Sequence, residues 1–233
     1  MNKMSEKIIG ICIADKEEYA PLEAFVSEHS GKTYSGAGRP MLDTSLEGVS
    51  VRAICAGIGK VNAAVGAMEL ISSGCNIIFN IGYAGGISGV RRGEILVGKK
   101  FLEHDFDLTS IGYGFAEKPA QEYIYSADAK LTKALCGSLH TNSGTVVTGD
   151  RFINDSVLRE NLKENFGANA CDMEAAAVAY AAASKGVPFC SVKIISDDAG
   201  NDALDSYREM NEGAGASLLE VMINCLKIIA AEV

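Results

Sequence analysis

The sequence predicts an α/β fold, with a twisted, mixed, largely parallel central sheet flanked by helices and residues 1–233 as one domain. Three observations predict it. Short apolar runs of strand length alternate with longer helical segments, as in successive β–α–β units. Runs such as residues 7–14, 76–81 and 188–196 are apolar almost throughout, as strands covered on both faces must be. No Pro-, Gly- or Ser-rich linker divides the 233 residues, so one sizeable core can form.

Taken in order, residues 7–14 (KIIGICIA) form a buried strand and DKEEYAPLEAFV an amphipathic helix. Asp15 stands where an N-cap belongs, and Glu18 three residues on completes a capping box. On local grounds that is the role of Glu18. The alternative is that the strand delivers Glu18 to its carboxyl end, where open α/β sheets bind ligands. Residues 35–41 turn between short extended segments, and residues 46–56 run from a hairpin arm into a central strand. Glycines then open a small-residue helix over 57–73. Gly57 and Gly59 permit backbone amides to approach an anion, but Asn62 holds the sixth position and no GK[ST] follows. A tight strand–helix turn is the better reading.

The strand at 76–81 ends in GYAGG, which is either an ordinary turn or a close approach of backbone to ligand. Residues 94–102 are extended and lead into the acidic, aromatic loop EHDFDLTSIGYG. Residues 143–148 are a further strand, followed by GDRFIND, which exposes Phe152 and Ile153, and by a helix at 156–165 capped by Ser156. In CDMEAAAVAY, residues 171–180, a single Glu174 interrupts a segment suited to close packing. Glutamate is rarely buried without a partner. Either Asp172 and Glu174 sit at the positive end of a helix, or Glu174 serves a site. The last central strand, 188–196, is broken by DDAGND. A C-terminal helix from about 206 to 231 places Leu218, Leu219, Val221, Met222, Leu226 and Ile229 at core spacing.

Composition narrows the function. A net charge of -9 argues against a nucleic-acid surface, which needs clustered Lys and Arg. No apolar run reaches the length of a membrane span and no signal peptide precedes the first strand, so a cytoplasmic protein is expected. Seven cysteines, an odd number without CxxC spacing, fit a reducing compartment. Cys12, Cys55, Cys171 and Cys190 lie in or beside apolar segments as small hydrophobes. His29, His104 and His140 are far apart in sequence, so no metal site is expected.

The ordered set AGIGKVNAA (56–64), NIGYAGG (80–86), HDFD (104–107), TGDRFIND (148–155), DMEAAAVA (172–179) and ISDDA (195–199) resembles the nucleoside phosphorylase/hydrolase superfamily. It is most similar to the bacterial 5′-methylthioadenosine/S-adenosylhomocysteine nucleosidase branch. The resemblance implies a single α/β domain, no cofactor, a nucleoside substrate and a homodimer, with loop residues such as Ile111 and Tyr113 lent to a neighbour's pocket. It assigns Asp197 as the general acid toward N7 of adenine and Glu18 as the carboxylate that activates water. Glu174 and the backbone of Met173 would hold the ribose hydroxyls. Phe152 would stack on adenine, the main chain of Ile153 would read its edge, and Tyr207 would close over the 5′ group. Ser196, Ala84 and Gly85 complete the substrate-binding set. Carboxylates near the sugar and a proton donor at the base match the charges that develop as an N-glycosidic bond breaks. Asp197 must then be kept protonated by desolvation or a neighbouring acid; Asp198 is the nearest acid in sequence, although a solvated Asp198 is expected.

Two positions depart from the family pattern. Tyr83 replaces the usual serine of the Gly-x-Ala-Gly-Gly turn, and Lys193 replaces an arginine on the last strand. Lys193 and Asp197 lie about 13 Å apart along an extended strand, so Lys193 is expected to serve Glu18 or the reaction water. Asn80 stands where phosphorylase relatives carry arginine. With Tyr83 it leaves phosphate poorly supported and water the favoured nucleophile. A phosphate-dependent purine nucleoside phosphorylase and a nucleoside-binding protein with little catalysis remain the alternatives.

Overall fold

The computed structural model describes residues 7–29, 31–36, 38–213 and 215–232, excepting the side chains within 211–216. The elements run β1 (Ile8–Ile13), α1 (Lys16–Glu28), β2 (Lys32–Gly36), β3 (Arg39–Leu46), β4 (Val49–Cys55), α2 (Lys60–Ser72), β5 (Ile77–Gly86) and β6 (Ile95–Glu103). They continue with β7 (Tyr125–Ser126), α3 (Ala129–Leu139), β8 (Ser143–Thr148), α4 (Ser156–Phe166), β9 (Ala170–Asp172), α5 (Ala175–Ser184), β10 (Phe189–Asp197), α6 (Ala203–Gly213) and α7 (Gly215–Glu232).

The strands make one mixed sheet in the order β10-β6-β8-β9-β5-β1-β4-β3-β2, with β7 against β6. Parallel pairing joins β4, β1, β5 and β10, and separately β6, β8 and β9. Antiparallel pairs of β10 with β6 and of β5 with β9 link the two groups. Because β5 also pairs with β10, the strands β5, β10, β6, β8 and β9 form a closed ring. An open sheet, assumed for the reading of Glu18, describes only the wing from β1 to β2.

One face of the sheet packs on α1, α3 and α7, through Ile9, Ile11, Phe79, Val192, Leu218, Met222, Leu226 and Ile229, all essentially without solvent contact. The other face packs on α2 and α5. The alanines of α5 let those helices sit close, since small side chains fill little of the gap.

Several local expectations are corrected. β5 does not stop at Ile81: it continues through GYAGG to Gly86, because β10 and then β9 take up its backbone groups. The cap of α4 is Asp155, whose carboxylate accepts from the amides of Val157 and Leu158; Ser156 is the first helical residue. The helical segment after DDAGND starts at Ala203, earlier than expected, while Ala37 and Ala214 lie outside the described residues. Short β7 and β9 were not expected from the sequence, and neither was the helix α3, although its Leu131, Leu135 and Leu139 recur at helical spacing.

Candidate active site

Strand ends and helix starts converge on one cleft. Its cavity volume is about 110 Å³. Glu18, Tyr83, Ala84, Gly85, Phe152, Ile153, Met173, Glu174, Ser196, Asp197 and Tyr207 all line it. Lys193 does not line it; it is buried, 1% exposed.

Glu18 completes the capping box and also lines the cleft. At the third position of α1 it accepts weakly from the Asp15 amide at 3.5 Å, completing the capping box. Its other oxygen accepts from the Tyr83 amide at 2.7 Å, which fixes it against β5 where that strand passes the cleft. Desolvation raises its pKa to about 7, against the lowering effects of the Tyr83 amide and Lys193. Glu174 precedes α5, but its carboxylate does not cap its own helix. It accepts from the Gly59 amide at 2.8 Å, at the start of α2. Gly59 has φ +95°, a left-handed conformation that glycine adopts without strain. Burial, with Asp172 nearby, raises Glu174 to about 7.

Asp197 ends β10 beyond an irregularity that sets it opposite Gly85. One oxygen accepts from Ser196 Oγ at 2.7 Å and the other from the Ala199 amide at 2.8 Å. Desolvation raises its pKa, with the Ser196 and Ala199 hydrogen bonds acting the other way. Asp198 faces solvent and contributes only a smaller repulsion.

Lys193 is corrected in part: its ammonium pairs directly with Asp172 at 2.8 Å and acts on Glu18 only through its charge. Strand alternation alone could not choose among the carboxylates it reaches. Burial works against its charge, but Asp172 and Glu174 outweigh it, so its pKa is raised and it stays an ammonium. Asp172 is further held by Thr148 Oγ1 at 2.6 Å and by the Ala175 amide at 3.0 Å. Sequence reasoning missed this partnership. The signal was available: a lysine in an all-apolar strand needs a buried acid, and Asp172 stands two residues before Glu174.

Ile153 is also corrected: it is buried, at 4%, while Phe152 is exposed, at 37%. Tyr83 lines the cleft. Its ring forms part of the wall, edge-on to Tyr207 at 6.4 Å, and Tyr207 in turn meets Phe152 at 5.7 Å. Asn80 is occupied within the core, donating to Cys12 O at 3.1 Å and accepting from Ser191 Oγ. Among the described residues, no group of three or more His, Cys, Asp or Glu side chains is arranged to hold a metal.

The model of the Phosphorylase superfamily matches residues 8–229, nearly the full described chain. The chain belongs to this superfamily. It is 36% identical to a 5′-methylthioadenosine/S-adenosylhomocysteine nucleosidase of an Exiguobacterium species, over 80% of this chain and 81% of that one. A nucleosidase of the same description from Geobacillus thermodenitrificans is 31% identical across 98% of this chain and 99% of its own. Among solved structures, the corresponding nucleosidase from Neisseria meningitidis, in complex with methylthio-immucillin-A, superposes with a TM-score of 0.87 at 27% identity. It covers 95% of this chain and 99% of its own. In this superfamily member, as in these relatives, the fold is α/β with a central mixed sheet.

Proposed function

We propose that the protein hydrolyses the N-glycosidic bond of 5′-methylthioadenosine, S-adenosylhomocysteine or a related adenine nucleoside, releasing adenine. The observation that carries this reading is the meeting of Glu18, Glu174 and Asp197, from three distant parts of the chain, around one cleft with Phe152 and Ile153 on its wall. The relatives are nucleosidases of such substrates by description.

The chemistry follows from charge. As the bond stretches, the ribose becomes cationic and the purine anionic. Glu174 holds the sugar hydroxyls and, with Glu18, stabilises the positive sugar. Asp197, with its pKa raised by burial, donates a proton to N7 so that the leaving group departs neutral. Glu18 accepts a proton from the attacking water, which adds to the anomeric carbon. Phe152 stacks on the base and Tyr207 closes over the 5′ group, the main chain of Ile153 reads the base edge, the backbone of Met173 joins Glu174 at the ribose hydroxyls, and Ser196, Ala84 and Gly85 complete the lining.

Water is favoured over phosphate for a local reason. Among the described lining residues the only cation is Arg151, and buried Lys193 is already neutralised by Asp172. A phosphate dianion would meet carboxylates instead of an arginine fork. The test is adenine release from methylthioadenosine in phosphate-free buffer. Turnover that strictly requires phosphate would replace this reading with phosphorolysis, and tight adenosine binding without turnover would reduce the protein to a binder.

The same reading takes residues 1–233 as one catalytic domain of a cytoplasmic homodimer, consistent with methionine salvage. No helix among the described residues is long and apolar enough to cross a membrane. An apolar patch supports the dimer: Ile58, just before α2, and Val61 and Val65 in its first turns are 53%, 75% and 44% exposed, and Ile58 also lines the cleft. Ile111, 67% exposed, and Tyr113 are available to a second copy. Light scattering on wild type and Val61→Asp tests this, with a dimer expected for the first and a smaller species for the second.

A further inference from the structure

Three sequence motifs each hold a residue without a chemical role in that mechanism: the lysine of GIGK, the first aspartate of HDFD and the first aspartate of GDRFIND. In the fold they close on one another. Lys60 Nζ pairs with Asp105 Oδ1 at 2.6 Å. Asp105 Oδ2 accepts from the Asp150 amide at 2.9 Å. Asp150 Oδ1 accepts from the Lys60 amide at 2.8 Å, which returns the circuit to its start. Glu103 gives Lys60 a second carboxylate at 2.9 Å and ties in Lys118 through its other oxygen.

The circuit sits between two parts of the cleft. On one side, the residue before Lys60 is Gly59, whose amide holds Glu174. On the other, the residues after Asp150 are Arg151, Phe152 and Ile153, which form the base wall. Beneath the same loop the His104 ring lies so close to Gly149 that a Cβ there would collide with Nε2. The loop is thus seated on the HDFD segment and fastened by it. Neither Lys60 nor Asp105 lines the cleft.

We propose that Lys60, Asp105 and Asp150 are positioning residues that hold the base-binding loop in register with the sugar carboxylate Glu174. The inference rests on the nucleosidase reading. Without the circuit, the amide that orients Glu174 and the loop that carries Phe152 move independently. Base and sugar are then no longer presented at a fixed separation, and a displacement of about 1 Å is enough to cost on the order of 100-fold in rate.

The experiment compares wild type with Lys60→Met, Lys60→Arg and Asp105→Asn, each checked for a native circular dichroism spectrum and assayed below its melting temperature. The readouts are kcat and KM for methylthioadenosine and the inhibition constant of free adenine. Lys60→Met and Asp105→Asn are expected to lower kcat/KM by roughly 10- to 100-fold. Lys60→Arg, which can still bridge Asp105, is expected to recover most of the loss. Combining Lys60→Met with Glu174→Gln should cost little more than Glu174→Gln alone, since the circuit acts through that carboxylate. Adenine inhibition, which engages the loop alone, should weaken less than nucleoside use. Unchanged kcat/KM in folded Lys60→Met, equal losses in the Arg and Met variants, or multiplicative losses with Glu174→Gln would overturn the proposal. Should Lys60→Met not fold, Asp105→Asn in the same cycle decides between these outcomes. An inactive wild type would instead sink the nucleosidase reading. The circuit would then be judged by calorimetric adenosine affinity, expected to be at least about 10-fold weaker in Asp105→Asn and overturned if equal to wild type.

Discussion

Asp197 carries opposing demands in one side chain. Desolvation favours its acid form, while Ser196 and the Ala199 amide stabilise the carboxylate left after proton donation. Removing the proton but keeping the shape, Asp197→Asn, is expected to lower kcat by about 10²- to 10⁴-fold, the usual worth of a placed general acid; stopped assays of adenine release check it. Gly82 offers a different test. A Cβ there would lie 2.8 Å from Glu18 Oε1, and that carboxylate is the far end of a flexible side chain. Gly82→Ala is therefore expected to fold with a melting temperature close to wild type while losing at least about tenfold in kcat/KM. A large loss of stability with retained activity would contradict the placement of Glu18. For Lys193, replacement by Met strands Asp172 in the interior, and denaturant titration should show a cost of about 3–5 kcal/mol.

At the scale of elements, what could be read in the sequence was what local chemistry repeats. The continuous apolar runs gave β1 and β10 almost to their ends, the strand read at 143–148 coincides with β8, and the capping box gave the start of α1. The same box made capping the local reading of Glu18, because its bond to the Tyr83 amide spans a separation of 65 residues and leaves no mark in the adjoining sequence. β5 was cut short because glycines signal turns, whereas here the neighbouring strands β10 and β9 supply the missing order. β9, three residues long, is a strand only through its partners on both sides. Most candidate residues of the cleft lie in the ordered motifs, Glu18 and Tyr207 excepted; the Lys193–Asp172 pair was missed because a buried lysine calls for an acid without saying which. Asp155 belongs to this scale as well. It caps α4 at the exit of the base-binding loop, so Asp155→Ala should lower stability by about 1 kcal/mol in chemical denaturation. It should raise KM more than it changes kcat, because the loop end is loosened while Glu18 and Asp197 stay in place.

At the scale of the whole molecule, the site costs stability in a way that pH exposes. Glu18 and Glu174 have pKa values raised by burial from 4.5 to about 7. Each therefore binds its proton more tightly in the folded chain than in the unfolded one. Their favourable contribution is fully present below pH 4.5 and is lost as pH rises through about 7, where folding must accept buried carboxylates. Asp197 shifts in the same direction. Asp43, Glu103 and Asp105 are lowered by their cationic partners and act in the opposite sense, in the more acidic range below their ordinary values. His104 is lowered by burial and also opposes the trend, adding stability as pH climbs toward 6.5. The discriminating quantity is therefore the stability difference between Glu18→Gln and wild type at each pH, in which the contribution of His104 cancels. That difference should move in favour of the glutamine variant between about pH 5 and 8, on the order of 1–3 kcal/mol. A constant difference across the range would mean that Glu18 is ionised throughout in the folded state. The desolvated carboxylate poised to take a proton from water near neutral pH would then have to be sought elsewhere in the cleft.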